Sequence, residues 1–137
     1  MQKVESGKKK VVITGIAGFL GSWVTKLFLE DGSFEVRGTV RDKNNEKKID
    51  PLRKAFGDRF NELELVEADL LKPETLVAAI EGCDFVVHTA SPVPIEHSND
   101  ENVVIRPALE GTLTIVRACQ KLKVKRLVMT SSVAAIM

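Results

Sequence analysis

Tyrosine is absent from the 137 residues, tryptophan occurs once, and cysteine and histidine occur twice each. Without tyrosine, no phenol is available for acid–base work. The cysteines, Cys83 and Cys119, have neither CxxC spacing nor a histidine at ligand distance along the chain. His88 and His97 stand far apart, so no metal site is expected. Two buried thiols in a reducing compartment, the cytoplasm, are the plain reading. No apolar run approaches the ~20 residues of a membrane-spanning helix. Met1–Lys10 is polar and lysine-rich and lacks the apolar stretch of a secretory signal. Residues 1–9 are therefore read as a short disordered lead-in to one domain over residues 10–137. The formal net charge of +1 gives no overall attraction to nucleic acid or to an anionic membrane surface.

The remaining composition is that of a globular domain, 44% hydrophobic, which argues against disorder. Short β-branched runs alternate with helical patterns. Strands are expected over Lys10–Thr14, Phe34–Val40, Glu62–Val66, Phe85–His88 and Arg126–Thr130. Helices are expected over Phe19–Asp31, Pro51–Phe56, Pro73–Ile80 and Asn99–Leu122, with Leu20, Trp23, Val24, Leu27 and Phe28 as the apolar face of the first. Gly32 and Gly82 are stop signals, Pro73 is a start signal, and Asn99 or Asp100 caps the long helix. Pro107 and Gly111 lie inside that helix against local propensity; a kink and a close approach to the sheet would explain them. The alternation implies an α/β fold, a doubly wound (Rossmann) parallel sheet of about five strands in the order 3-2-1-4-5, with helices on both faces. Ligands of such sheets bind at the carboxyl ends of the strands, near the switch between strands 1 and 4.

The turn after the first strand reads Gly15-Ile16-Ala17-Gly18-Phe19-Leu20-Gly21. In a G-x-x-G-x-x-G turn the first glycine permits the tight bend, the second lets a pyrophosphate approach the backbone, and the third allows helix and strand to pack closely. The following helix aims its N–H groups and positive dipole end at the phosphates. A glycine triplet alone is weak; the strand before it and the helix after it supply the context. About 20 residues on, at the end of the second strand, an acid would bond the ribose of NAD, whereas an arginine suits the extra phosphate of NADP. Arg41 occupies that position, with Lys47 and Lys48 following. A solvated basic loop is the competing reading, and Asp42 leaves some NAD use open. Asp69 and Leu70, after the third strand, are candidates to flank an adenine. Thr89, Ala90 and Ser91, after the fourth, are candidates to let the backbone pass the diphosphate or ribose. A helix cap for Asp69 and a simple turn for Thr89–Ser91 are the competing readings.

Thr14–Trp23 resembles the opening signature of the extended short-chain dehydrogenases, in the branch of the dihydroflavonol, anthocyanidin and cinnamoyl-CoA reductases. Thr39–Asp42 is similar to that branch's NADP signature. Ala68–Leu70, Gly82–Cys83, Val87–Pro92, Glu110–Thr112 and Arg126–Ser132 fall at its spacing. The resemblance runs from about Lys10 to the end. It implies NADPH as cofactor and a small-molecule aldehyde, ketone or acyl thioester as the substrate reduced. It also implies a serine, a tyrosine and a lysine for the acid–base work. The serine matches Ser132, with Ser131 as the alternative, and would hydrogen-bond the substrate oxygen; a strand-end cap is its plain reading. The tyrosine and lysine belong to a Y-x-x-x-K helix that this sequence does not contain.

The expectation is the NADP-binding part of a carbonyl reductase, without the substrate lobe, that binds cofactor without turnover. Two alternatives stay open: a non-catalytic NADP(H)-binding sensor or dimerising module, and part of a nucleotide-sugar epimerase or dehydratase, against which Arg41 counts. Self-association through uncovered apolar surface is also expected.

Overall fold

The structure is a computed structural model and describes residues 7–92, 100 and 102–136, with the backbone alone at 134. Strands β1 (Lys9–Thr14), β2 (Phe34–Val40), β3 (Leu63–Glu67), β4 (Phe85–His88) and β5 (Arg126–Met129) form one sheet in the order β3-β2-β1-β4-β5. Every pairing is parallel. Helices α1 (Phe19–Asp31), α2 (Glu46–Phe56), α3 (Pro73–Ile80) and α4 (Asn102–Lys121) make the crossovers. This is the doubly wound arrangement expected from the alternation.

The central strand shows why the sheet is covered on both sides. Val11, Val12 and Ile13 are all fully buried. Val11 and Ile13 join Leu29 of α1 and Ile49, Leu52 and Phe56 of α2. Val12 joins Leu76, Ala79 and Ile80 of α3 and Ile115, Ala118 and Cys119 of α4. A strand buried on both faces reads as a continuous apolar run, as this one does.

β5 ends at Met129 and α4 at Lys121, each one residue short of the expected end, and four further expectations need correction. Lys9 already pairs with Phe34, so β1 starts one residue inside the supposed lead-in, whose residues 1–6 lie outside the described ones. β3 is displaced one residue towards the C-terminus. α2 begins at Glu46 rather than Pro51. Its buried residues Ile49, Leu52 and Phe56 lie one and two turns apart on one face. That face outweighs the hydrogen bond Pro51 cannot donate, because Pro51 itself is exposed.

The fourth correction concerns α1. Leu20, Trp23 and Leu27, expected on the core face, are 50%, 53% and 61% exposed. The face turned to the sheet is Gly21, Thr25 and Leu29, with Val24 and Phe28 half-buried. The reason is steric. A Cβ on Gly21 would overlap the carbonyl oxygen of Gly15, so the helix can lie this close only with its small residues inward. Thr25 is tolerated there because its hydroxyl donates to the Gly21 carbonyl at 2.7 Å.

In α4, Pro107 and Gly111 are buried, and a Cβ on Gly111 would stand 2.8 Å from Leu70 Cδ2. The glycine thus marks a close approach of α4 to the turn after β3. Asp100 lies just ahead of the helix, its Oδ1 accepting the Asn102 N–H at 3.0 Å. The alternative cap, Asn99, lies outside the described residues.

Candidate functional site

The register brings the candidate residues together. Thr14 lies beside His88 and His88 beside Met129, Ile13 lies beside Gly38, and Val40 beside Glu67. The carboxyl ends of all five strands therefore share one edge. The glycine turn, Arg41, Asp69–Leu70, Thr89–Ser91 and Ser131–Ser132 all follow from that edge.

Each glycine of the turn has a distinct role. Gly15 has φ +70, and a Cβ on it would lie 2.9 Å from the Ala90 Cα. It serves both the bend and the passage of the next loop. Gly21 gives the helix its close seat, where a Cβ would also stand 2.8 Å from Thr89 Oγ1. Gly18 has φ −81, which any residue adopts, and a Cβ there would meet only the Gly15 oxygen at 3.4 Å. Nothing in the fold itself requires glycine at this position. Ala17, Gly18, Phe19 and Leu20 are exposed. No side chain caps α1 and no acid occupies its first turn. The first helical bond runs from Ser22 N–H to the Gly18 carbonyl at 3.0 Å, leaving the N–H groups of Phe19, Leu20 and Gly21 ahead of it. The helix start thus presents unused N–H groups beside an open backbone surface.

Arg41 follows β2 directly. The β2 end is fastened to the glycine turn: Gly15 N–H donates to Thr39 Oγ1 and Ile16 N–H to the Thr39 carbonyl, both at 3.1 Å. Arg41 and Lys48 are exposed and make no ion pair among the described residues, whereas Arg53 pairs with Glu46 and Lys54 with Asp50. Asp42 is turned to local work, its Oδ1 accepting the Asn44 N–H at 2.8 Å.

The Asp69 carboxylate holds its own turn through the Leu71 N–H at 2.9 Å, while the Asp69 N–H donates to Thr75 Oγ1 at 2.9 Å. The helix-cap reading of Asp69 does not hold, since the N-cap of α3 is Lys72 and no side chain caps that helix. Leu70 packs beneath α4 against Gly111 and lines a small cavity with His88, Ala90, Ser91, Thr112 and Thr130. The Thr89 hydroxyl is likewise used internally, donating to the Thr14 carbonyl at 2.6 Å. Ala90 packs against Gly15 of the glycine turn, and Ser91 is exposed. Ser131 and Ser132 follow Thr130, whose N–H donates to the His88 carbonyl at 3.1 Å. Both serines are exposed, and the Ser132 carbonyl accepts the Ala135 N–H at 3.0 Å.

Three residues of the site were not singled out by sequence reasoning: Thr14, Thr39 and His88, all buried. His88 had been set aside for want of metal-ligating neighbours. The available signal was a polar residue closing an otherwise apolar strand. Burial holds the His88 imidazole below its ordinary pKa. Both cysteines are buried free thiols, and no cluster of metal-ligating side chains occurs among the described residues. Nor, among them, is any helix long and apolar enough to cross a membrane.

Comparison with known proteins agrees with this geometry. The chain is 48% identical over 130 residues to tetraketide alpha-pyrone reductase 1 of Arabidopsis thaliana, covering 94% of this chain and 39% of that one. It is 42% identical over 132 residues to the bifunctional dihydroflavonol 4-reductase/flavanone 4-reductase of Malus domestica, covering 96% and 37%. Vestitone reductase from alfalfa superimposes with a TM-score of 0.72 at 37% identity, covering 93% of this chain and 37% of that one. The yeast methylglyoxal/isovaleraldehyde reductase complexed with NADPH gives 0.76 at 27%, covering 92% and 38%. The chain thus spans less than two-fifths of the length of each of these relatives. The family model described as the NAD dependent epimerase/dehydratase family matches residues 11–136, and the chain belongs to that family.

Proposed function

We propose that this chain binds NADP(H) across the glycine turn, as the cofactor-binding part of an NADPH-dependent carbonyl reductase. The observation that carries the reading is Arg41 at the end of β2. It is exposed, has no carboxylate partner among the described residues, and follows the strand end that Thr39 fastens to the glycine turn. A 2′-phosphate is the group that such a guanidinium binds in bidentate fashion. Gly15, Ala17, Gly18, Phe19, Leu20 and Gly21 would hold the diphosphate. Lys48 would add charge at the 2′-phosphate. Asp69 and Leu70 would bound the adenine, and Thr89, Ala90 and Ser91 the central ribose and diphosphate. The open face of Gly18 fits this assignment, because the fold leaves free the space that a side chain would take from a phosphate.

When bound, the nicotinamide supplies the hydride. What these residues add to the chemistry is the Ser132 hydroxyl, which would donate a hydrogen bond to the substrate carbonyl oxygen, with Ser131 as the alternative. With no tyrosine in the sequence, these 137 residues alone are proposed to bind cofactor without turning over an aldehyde, ketone or acyl thioester. Exposed apolar faces on α1 and α4 favour a second reading, a non-catalytic NADP(H)-binding module that associates with another chain.

The test is calorimetric titration with NADPH and NADH, repeated with Arg41→Ala. NADPH preference that collapses in the variant supports the reading. Equal affinity for the two nucleotides in the unaltered chain overturns the role of Arg41, and binding of neither by a folded chain overturns the site.

A further inference from the structure

Thr14 and His88 are 1% and 4% exposed and lie side by side at the ends of the two central strands. The Thr14 hydroxyl oxygen accepts two backbone donors, the N–H groups of Thr89 and Ala90, both at 3.1 Å. Its third neighbour is His88 Nδ1, at 2.7 Å. A hydroxyl has two acceptor lone pairs and one proton. Both lone pairs are taken, so the proton goes to His88, and Nδ1 must be the unprotonated nitrogen. The ring is thereby fixed as the tautomer carrying its hydrogen on Nε2. Its backbone is anchored on the other side, where the His88 carbonyl accepts the Thr130 N–H at 3.1 Å.

The geometry points to His88 as a positioning residue of the nucleotide site: through Nδ1 it orients the Thr14 hydroxyl to hold the Thr89 and Ala90 N–H groups, and so sets the loop that walls the crevice opposite Gly15. The consequence at the crevice is direct. Ala90 is the residue against which Gly15 is packed, and Thr89 Oγ1 stands against Gly21. Without that acceptor the Thr14 hydroxyl would hold an unsatisfied buried proton, and could find it another partner only by turning and giving up one of its two bonds to the loop. The loop would then be free to shift where the cofactor backbone must pass. This inference rests on the nucleotide reading proposed above.

The test joins a spectrum to a pair of variants. Long-range 1H–15N correlation of the labelled chain reads the protonation of each ring nitrogen. The expected pattern is an unprotonated Nδ1 and a protonated Nε2; a proton on Nδ1 overturns the inference even if no variant folds. His88→Asn places an amide oxygen where Nδ1 stood, whereas His88→Leu offers no acceptor. Both lose the ring's packing, so both should melt below the unaltered chain. Only His88→Leu should lose NADPH affinity strongly, by about tenfold or more, the scale of one buried hydrogen bond, with His88→Asn within about threefold. Equal losses in the two variants overturn the inference alone. Failure of the folded, unaltered chain to bind NADPH overturns the nucleotide reading, and this role of His88 with it.

Discussion

Gly15 and Ala90 stand so close that a single methyl group on Gly15 would come within 2.9 Å of the Ala90 backbone. Gly18, three residues on, has no such neighbour, although it belongs to the same turn. The two glycines therefore separate a folding requirement from a binding requirement. Gly15→Ala forces an L side chain to φ +70, costing about 1–2 kcal/mol before the contact with Ala90 is counted. It should lower the melting temperature by several degrees and abolish nucleotide binding. Gly18→Ala should melt within about 2 °C of the unaltered chain, yet lose most NADPH affinity because its methyl takes the space of a phosphate. Thermal unfolding and calorimetry on both variants check this. Full binding by Gly18→Ala would remove the phosphates from this surface.

The difference between these glycines also shows what the sequence makes legible. The spacing of Gly15, Gly18 and Gly21 after an apolar strand identifies the turn, and with strand–helix alternation it fixes sheet order and the functional edge. These are local patterns read by period and punctuation. The outward flank of α1 was not legible, because Leu20, Trp23 and Leu27 have the spacing of a core face. Only the seating of Gly21 on Gly15, a contact between two elements, decides which side turns inward. Thr14 and His88 escaped for a related reason. Their partnership spans 74 residues of sequence, and no spacing rule connects them. The start of α2 was obscured by Pro51, a strong local signal that a buried face one turn longer overrides.

Arg37 illustrates another contact of this long-range kind. Its Nη1 donates to the carbonyls of Ala79 and Glu81 at 2.8 Å, at the C-terminal end of α3. Its Nε donates to Glu64 at 3.0 Å. With only 11% of its side chain exposed, it works as a cap for a helix from another crossover. Arg37→Ala should destabilise the chain by about 1.5–3 kcal/mol, the range for bonds to a charged group. Because Arg37 lies mid-strand, away from the functional edge, nucleotide affinity should change little. Urea unfolding and calorimetry on the same sample check both statements, and a large loss of affinity at unchanged stability would contradict this structural role.

The exposed apolar residues predict association. Leu20, Trp23 and Leu27 form a stripe on α1. Ile105, Leu109, Leu113 and Val116 form another on α4. Faces of this kind are rarely left to water. Sedimentation velocity should show a mass that rises with concentration. Trp23→Glu combined with Leu109→Glu should shift the chain towards monomer, since both residues are more than half exposed and neither supports the core. A monomer at every concentration for the unaltered chain would contradict the prediction.

The buried imidazole predicts a pH dependence whose sign is fixed. Burial lowers the His88 pKa in the folded chain below the ordinary 6.5 that applies when the chain is unfolded. The unfolded chain therefore takes up a proton first as the pH falls, and stability falls with it. The His88 contribution is complete above pH 6.5 and is lost as the pH drops from there through the lower folded value. The slope is no steeper than about 1.4 kcal/mol per pH unit, the limit for one proton. The Asp84 carboxyl lies in a separate window. Hydrogen bonds from Lys125 and from the Lys10 backbone hold it below its ordinary 3.8, so its loss comes at more acid pH. Urea unfolding of the unaltered chain and of His88→Asn, from about pH 8 to about pH 5, isolates the histidine: the curves should run parallel above 6.5 and converge below it. Curves that stay parallel throughout would mean that His88 titrates alike folded and unfolded.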